Sequence, residues 1–164
     1  MFTSLWNAYG PFHVIFLHLP IGLVAGIAMI EAWSLISERG QAARVALPAL
    51  YLFAAGAALL TVLAGLSLAG QGQPESPQTL FWHRNFGLVT LLFIISGTVL
   101  CWRQAPRWAQ LGNLAALLLV IGVTGHLGGS LTHGDDFLTR RLPEPLRSWV
   151  QPAPAPAPPL KPNK

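Results

Sequence analysis

The chain has 164 residues, 52% of them hydrophobic and 10% charged, with a formal net charge of +4. Soluble domains have about a quarter of their residues charged, so this composition excludes an ordinary soluble protein. The positive charge forms no basic stripe, which leaves nucleic-acid binding without support. The single cysteine, Cys101, excludes an intramolecular disulfide and the C-x-x-C-H attachment of c-type haem.

Four long apolar runs, at about 12–37, 45–69, 79–102 and 108–128, are long enough to cross the hydrocarbon core of a membrane. They are rich in Leu, Ala and Gly and show no apolar/polar alternation, which excludes a barrel. The first run lacks the basic start and the cleavage site of a signal peptide. We therefore predict an all-α integral membrane protein, an antiparallel four-transmembrane-helix bundle over residues 1–138, because the connections are short. Residues 139–164 would form a tail that is first basic and then Pro/Ala-rich and extended. No internal repeat is evident.

The first run carries His13 and His18 near its start, with Gly22 four residues after His18. Residues four apart share a helix face, whereas His13 and His18 point about 140° apart at 3.6 residues per turn. Pro20 gives this helix a reason to be distorted near its start. Glu31, deeper in the run, is a candidate proton-relay acid, or it reaches the far interface.

The second run carries no charged residue, and the loop that follows it contains Glu75. The third run opens with His83 and Arg84, and Gly87 lies one turn after His83. In the fourth run, Gly122 precedes His126 by one turn. His18, His83 and His126 thus each have a glycine on the membrane-inward side. Such an imidazole above bare backbone suits a flat ligand such as haem, although Gly22-x-x-x-Gly26 is also a common helix-packing motif.

A polar segment, GSLTHGDDF, follows the fourth run and contains His133, Asp135 and Asp136. This trio resembles a metal- or proton-handling cluster, and the alternative is a solvated loop. Helix parity places the five histidines at one membrane face, since they lie near the starts of the odd runs and the end of the fourth. The arginines of the first and third loops predict, by the positive-inside rule, that both termini lie outside the inner membrane of a bacterium.

Three segments carry a resemblance to a known family. PFHVIFLHLPIGL at 11–23, HRNFG at 83–87 and GHLGGSLTHGDDFL at 125–138 resemble the H-P-x-x-x-H-F-P-I, H-R-x-x-G and G-H-x-G-G-S-L-x-H-G motifs of small four-helix predicted membrane proteins of unassigned function. The chain departs from the opening motif at Val14 and Leu19. Members often occur beside c-type cytochrome domains, which implies an electron-transfer setting. The matching positions are His13, His18, His83, Arg84, His126 and His133.

These observations favour a b-type haem-binding membrane subunit of an electron-transfer chain rather than a stand-alone enzyme. Two imidazoles from different helices can clamp one haem iron, and His18 would pair with His126 or His83. Arg84 would hold a propionate, and Gly22, Gly87 and Gly122 would admit the macrocycle. One haem b is expected, and a second haem is left open. Lipid and a c-type cytochrome or the quinone pool would be its partners.

Three alternatives stay open at this point. A quinol site would use His133 and Asp135. A transporter would use the histidine layer for metal or protons, but two Met and one Cys, far from that layer, disfavour copper(I). A structural or assembly subunit without cofactor would use its histidines and glycines only for helix packing.

Overall fold

The computed structural model describes residues 2–72, 76–134, 136–137, 139–143 and 145–146. Regular structure in these residues is helical, with α1 (Phe2–Tyr9), α2 (His13–Phe16), α3 (His18–Ser34), α4 (Glu38–Ala43), α5 (Leu47–Ala69), α6 (Pro77–Trp102) and α7 (Arg107–His133). Short 3-10 turns join α1 to α2 and α4 to α5. Glu75, Asp135 and the predicted Pro/Ala-rich tail lie outside the described residues.

Four helical segments are long and apolar enough to span a membrane, which confirms the predicted fold class. They are the first to fourth spans: Thr3–Ser34, Glu38–Ala69, Pro77–Trp102 and Arg107–His133. All four are longer than or shifted from the predicted runs, because the helices continue into polar sequence at the interface. The fourth stops at Gly134, whose φ of 88° suits a glycine that ends a helix.

The two prolines of the first span lie where a helix tolerates them. Pro11 lies in the 3-10 turn at Gly10–Phe12, and the chain turns again at Leu17 before α3 begins. Pro20 is therefore in the first turn of α3, where a missing N–H costs little. The break between α2 and α3, at Leu17, lies three residues before Pro20, and the backbone of Leu17 stays in the right-handed helical region.

The spans pack mainly in chain order, the first against the second, the second against the third, and the third against the fourth. We call the end that carries Arg44 and Arg107 the arginine end, and the end that carries His13 and His83 the histidine end. The fully buried apolar cluster lies in the middle of the bundle and toward the arginine end. It consists of Val24, Ile27, Leu47, Tyr51, Ala54, Ala58, Ile94, Leu114 and Leu117.

Glu31 joins the first, second and fourth spans at the arginine end. Its buried carboxylate accepts hydrogen bonds from Arg44 Nε and Nη2, at 3.2 and 3.1 Å, and lies 3.7 Å from Arg107 Nη2. The guanidinium of Arg107 also donates to Ser34 Oγ. Glu31 is thus the shared anion of two arginines. This agrees with the second of the two sequence-based interpretations, in which Glu31 reaches the interface. These contacts hold the first span against the fourth at this end.

Gly97 in the third span packs directly against the side chain of Tyr51 in the second. A Cβ built at Gly97 would overlap the ring of Tyr51, and both residues are buried. Overpacking of this kind costs about 1–3 kcal/mol. We therefore expect Gly97→Ala to lower the thermal unfolding temperature of the detergent-purified protein. Gly56→Ala is the matched control, because Gly56 is exposed in a helix interior with open space around it. Equal melting of the two variants would contradict this packing.

Candidate functional site

His13 and His83 meet inside the histidine end of the bundle. His13 comes from the first span and His83 from the third, and their ring centres lie 6.1 Å apart with the planes at 87°. Both side chains are half-buried. The two imidazoles therefore join the two helical hairpins of the protein, the first made of spans one and two and the second of spans three and four.

Each of these imidazoles is fixed by a backbone carbonyl of the other helix in its hairpin. His13 Nδ1 lies 2.9 Å from the carbonyl oxygen of Thr61, and His83 Nδ1 lies 3.0 Å from that of Thr124. Because a carbonyl oxygen only accepts hydrogen bonds, Nδ1 carries the proton in both rings. In the neutral imidazole Nε2 then holds the free lone pair, which is the form that binds a metal ion.

A glycine makes room for each ring one turn beyond the threonine. A Cβ built at Gly65 would lie 3.0 Å from Cε1 of His13, and one at Gly128 would lie 2.9 Å from Cε1 of His83. Contacts this short require a shift of the ring or the helix. Only glycine at 65 and 128 leaves these two rings their observed positions.

The two hairpins repeat this arrangement. In each, a histidine near the start of the first helix donates to the threonine of a Thr-x-x-x-Gly sequence in the second. The hydroxyls of Thr61 and Thr124 also make the same bond, to the carbonyls of Ala57 and Val120 four residues earlier. Burial follows the same register. When Thr61 is aligned with Thr124, the buried residues Tyr51, Ala54 and Ser67 of the second span align with the buried residues Leu114, Leu117 and Ser130 of the fourth. The sequence shows too few identities to reveal this repeat, but the recurring contact does.

The residues that contact the histidine pair are less buried than the apolar cluster toward the arginine end. Four of them are half-buried, namely Thr61, Gly65, Thr124 and Gly128, although Ala64, Ser67 and Ser130 at the same end are buried. Gly87 lies one turn after His83, and no atom lies within 4 Å of a Cβ built there. The same is true of the exposed Gly22 and Gly122, but Gly87 differs from them in being half-buried.

The comparisons with known proteins agree with the membrane fold. The model of a family described as predicted membrane protein (DUF2231) matches residues 10–139. This chain belongs to the DUF2231 family. No curated protein and no solved structure gives a significant match.

The DUF2231 match covers both hairpins and all five histidines, but the structure places three of those histidines on the outside of the bundle. His18 is exposed, and its Nδ1 lies 2.7 Å from the carbonyl oxygen of Val14 in its own helix. His126 and His133 are also exposed and flank the ring of Phe137, with centres 6.2 and 5.7 Å away. Among the ring contacts of the described residues, His18 is paired with neither His83 nor His126.

The other sequence-predicted residues divide in the same way. Arg84, Gly22 and Gly122 are exposed, whereas Gly87 is half-buried. The described residues contain no group of three or more His, Cys, Asp or Glu side chains that could hold a metal ion. Of the candidates, the structure thus brings together His13 and His83, and Gly87 lies one turn after His83 in the same helix. The structure adds four residues that the sequence analysis did not select, namely Thr61, Gly65, Thr124 and Gly128. The feature of the sequence that pointed to them is the Thr-x-x-x-Gly pattern that the two pairs share.

Proposed function

We propose that this DUF2231 protein is a b-type haem-binding membrane subunit in electron transfer, with His13 and His83 as the axial ligands. The observation that supports this most is the pair itself, two inward imidazoles from different hairpins, each with Nδ1 bound to a carbonyl and Nε2 free. His13 and His83 take the place of His18 and its partner in the sequence-based hypothesis.

The spacing of the two rings fits one shared metal ion. Metal–imidazole bonds of about 2.0–2.1 Å on both sides of one ion place the ring centres about 5–6.5 Å apart, depending on the angle between the bonds. The centres of His13 and His83 are 6.1 Å apart. The separation of the ring centres lies within this range, and a shared iron would require both Nε2 atoms to point toward it.

The surroundings of the pair suit a flat cofactor. Gly87, one turn after His83, is half-buried and has no heavy atom within 4 Å of a Cβ built there, and the residues that contact the two imidazoles are half-buried as well. Arg84 follows His83 directly and is exposed, so its guanidinium is free to bind a propionate in a bidentate manner. Bound haem would supply one-electron chemistry, and the protein would supply ligands, orientation and a low-dielectric surrounding.

Charge in the short loops supports one membrane orientation. Arg39, Arg44, Arg103 and Arg107 lie in or beside the first and third loops, so the positive-inside rule applied to these loops favours the arginine end in the cytoplasm, whereas Arg140 and Arg141 after the fourth span count against it. The histidine pair would then lie near the outer face of a bacterial inner membrane. This is the side on which a periplasmic c-type cytochrome could exchange electrons with the haem, and quinol from the bilayer is the other candidate donor.

An absorbance spectrum tests the proposal. The full chain, purified from membranes of a haem-replete host, is expected to show a Soret band and, after reduction, a sharp α-band, with about one haem per chain by the pyridine haemochrome assay. A colourless but folded protein would overturn the proposal. If elemental analysis of that colourless protein found copper or zinc, the pair would be a bare metal site; with no metal, the histidines would serve helix packing.

A further inference from the structure

A cavity at the arginine end lies at the opposite end of the bundle from the proposed haem site. Its volume is about 310 Å³, and it opens between the second span and the loop that joins the third and fourth spans. Its polar wall consists of Arg44, Arg107, Gln104 and Gln110, and its apolar wall includes Leu47 and Pro48. The wall contains two cations, two amides and no acid.

The two arginines are only partly neutralised by the protein. Glu31 is the one carboxylate that contacts them among the described residues, so the three groups together keep a net positive charge. The side chains of Arg44 and Arg107 are 26% and 35% exposed, whereas that of Glu31 is 6% exposed. The unneutralised charge is therefore on the accessible side of the cluster, at the cavity.

Arg107 is also short of hydrogen-bond acceptors. Its contacts to Ser34 and Glu31 both use Nη2, and its buried Nε has no acceptor in the part of the chain that the structure describes. A buried donor without a partner costs about 1–3 kcal/mol, and more when it is charged. A guanidinium in this state favours an oxyanion that could accept several of its N–H groups together.

Two exposed tryptophans beside the cavity favour a position at the level of the lipid headgroups. Trp102 and Trp108 flank the loop beside the cavity and are 62% and 77% exposed. Exposed tryptophans concentrate at the level of the headgroups, and basic pockets on the cytoplasmic side of helix bundles bind anionic headgroups. The apolar wall at Leu47 and Pro48 suits the glycerol part of such a lipid.

We propose that this cavity binds a phosphate oxyanion through Arg44 and Arg107. Its source is either the headgroup of an anionic phospholipid or a soluble phosphate. Neither the binding nor its test depends on the haem site.

Binding is measured with the full chain, delipidated in detergent. Native mass spectrometry with phosphatidylglycerol is expected to show one tightly bound lipid on the wild-type protein, and a non-phosphorus glycolipid is the control lipid. In a parallel arm, inorganic phosphate is expected to raise the melting temperature if the ligand is a soluble anion, and to have no effect if the site is specific for a lipid headgroup.

Arg107→Gln is expected to weaken binding at least about tenfold, the value of one charge-assisted hydrogen bond. Arg103→Gln removes the same charge from an exposed residue of the same loop and should bind like the wild type. If Arg107→Gln fails to fold, Arg107→Lys replaces it, because it keeps the charge but loses Nε and should bind several-fold more weakly. Binding by the folded Arg107 variant equal to that of Arg103→Gln, or no response in either arm, overturns the proposal.

Discussion

Alanine at His13 or at His83 is expected to abolish haem binding, while alanine at His18 or His126 should leave the haem content of the protein unchanged. His13 and His83 face each other inside the bundle, whereas His18 and His126 are exposed on its outside. In a half-open site, the affinity of the protein for a bis-histidine haem falls strongly when one axial ligand is removed. We therefore expect the Soret absorbance per chain to fall at least about tenfold.

The four variants are matched, since each removes one imidazole from the same end of the bundle. Thermal unfolding of the apo-proteins separates loss of haem from loss of the fold. If His18→Ala or His126→Ala lost the haem while His13→Ala kept it, the ligand assignment would return to the outward histidines. In that case the haem would lie on the bundle surface.

The sequence contains enough information to predict the helices and the end at which the histidines lie. The number of spans depends on run length, and the histidine layer depends only on the alternating direction of antiparallel helices. Both follow from the chemistry of a bilayer, in which every backbone polar group needs an internal partner. The contact of His13 with His83 confirms that the first and third spans start at one end.

The sequence does not reveal which histidines face inward. In a soluble helix the apolar face identifies the core, but in lipid the outward face is apolar as well, so the rotation of each span stays undetermined. The 140° between His13 and His18 predicts that they lie on different sides of the helix, and in the structure His13 is half-buried while His18 is exposed, but the angle leaves open which of them points inward. The bond from His13 to the carbonyl of Thr61 and the room at Gly65 decide this, and both are contacts between distant parts of the chain.

The same limitation explains the glycines. The sequence shows that Gly22 follows His18 by one helical turn, yet both residues are exposed in the structure. Gly65 and Gly128 instead lie opposite the histidines on the neighbouring helix, and the Thr-x-x-x-Gly sequence that they share does not indicate which side chain they face. A glycine that admits a side chain from another helix is recognisable only once the helix pairs are known.

Glu31→Ala is expected to produce the largest loss of stability of any single substitution at the arginine end. Glu31 is the shared acceptor for Arg44 and Arg107, and its side chain is only 6% exposed. Removing one member of a buried ion pair costs about 3–5 kcal/mol because the remaining charge is left without a partner. Since both guanidinium groups reach solvent here, we expect about 2–3 kcal/mol, or a fall of at least about 5 °C in the melting temperature.

Glu38→Ala is the control for this prediction, because Glu38 is an exposed carboxylate near the same end. It should melt within about 1 °C of the wild type, as surface substitutions away from such networks do. Adding Arg107→Gln to Glu31→Ala should restore part of the lost stability, since one of the two uncompensated charges is then removed. If Glu31→Ala melted like Glu38→Ala, the carboxylate would not be what holds the first span against the fourth, and the contact at that end would depend on packing alone.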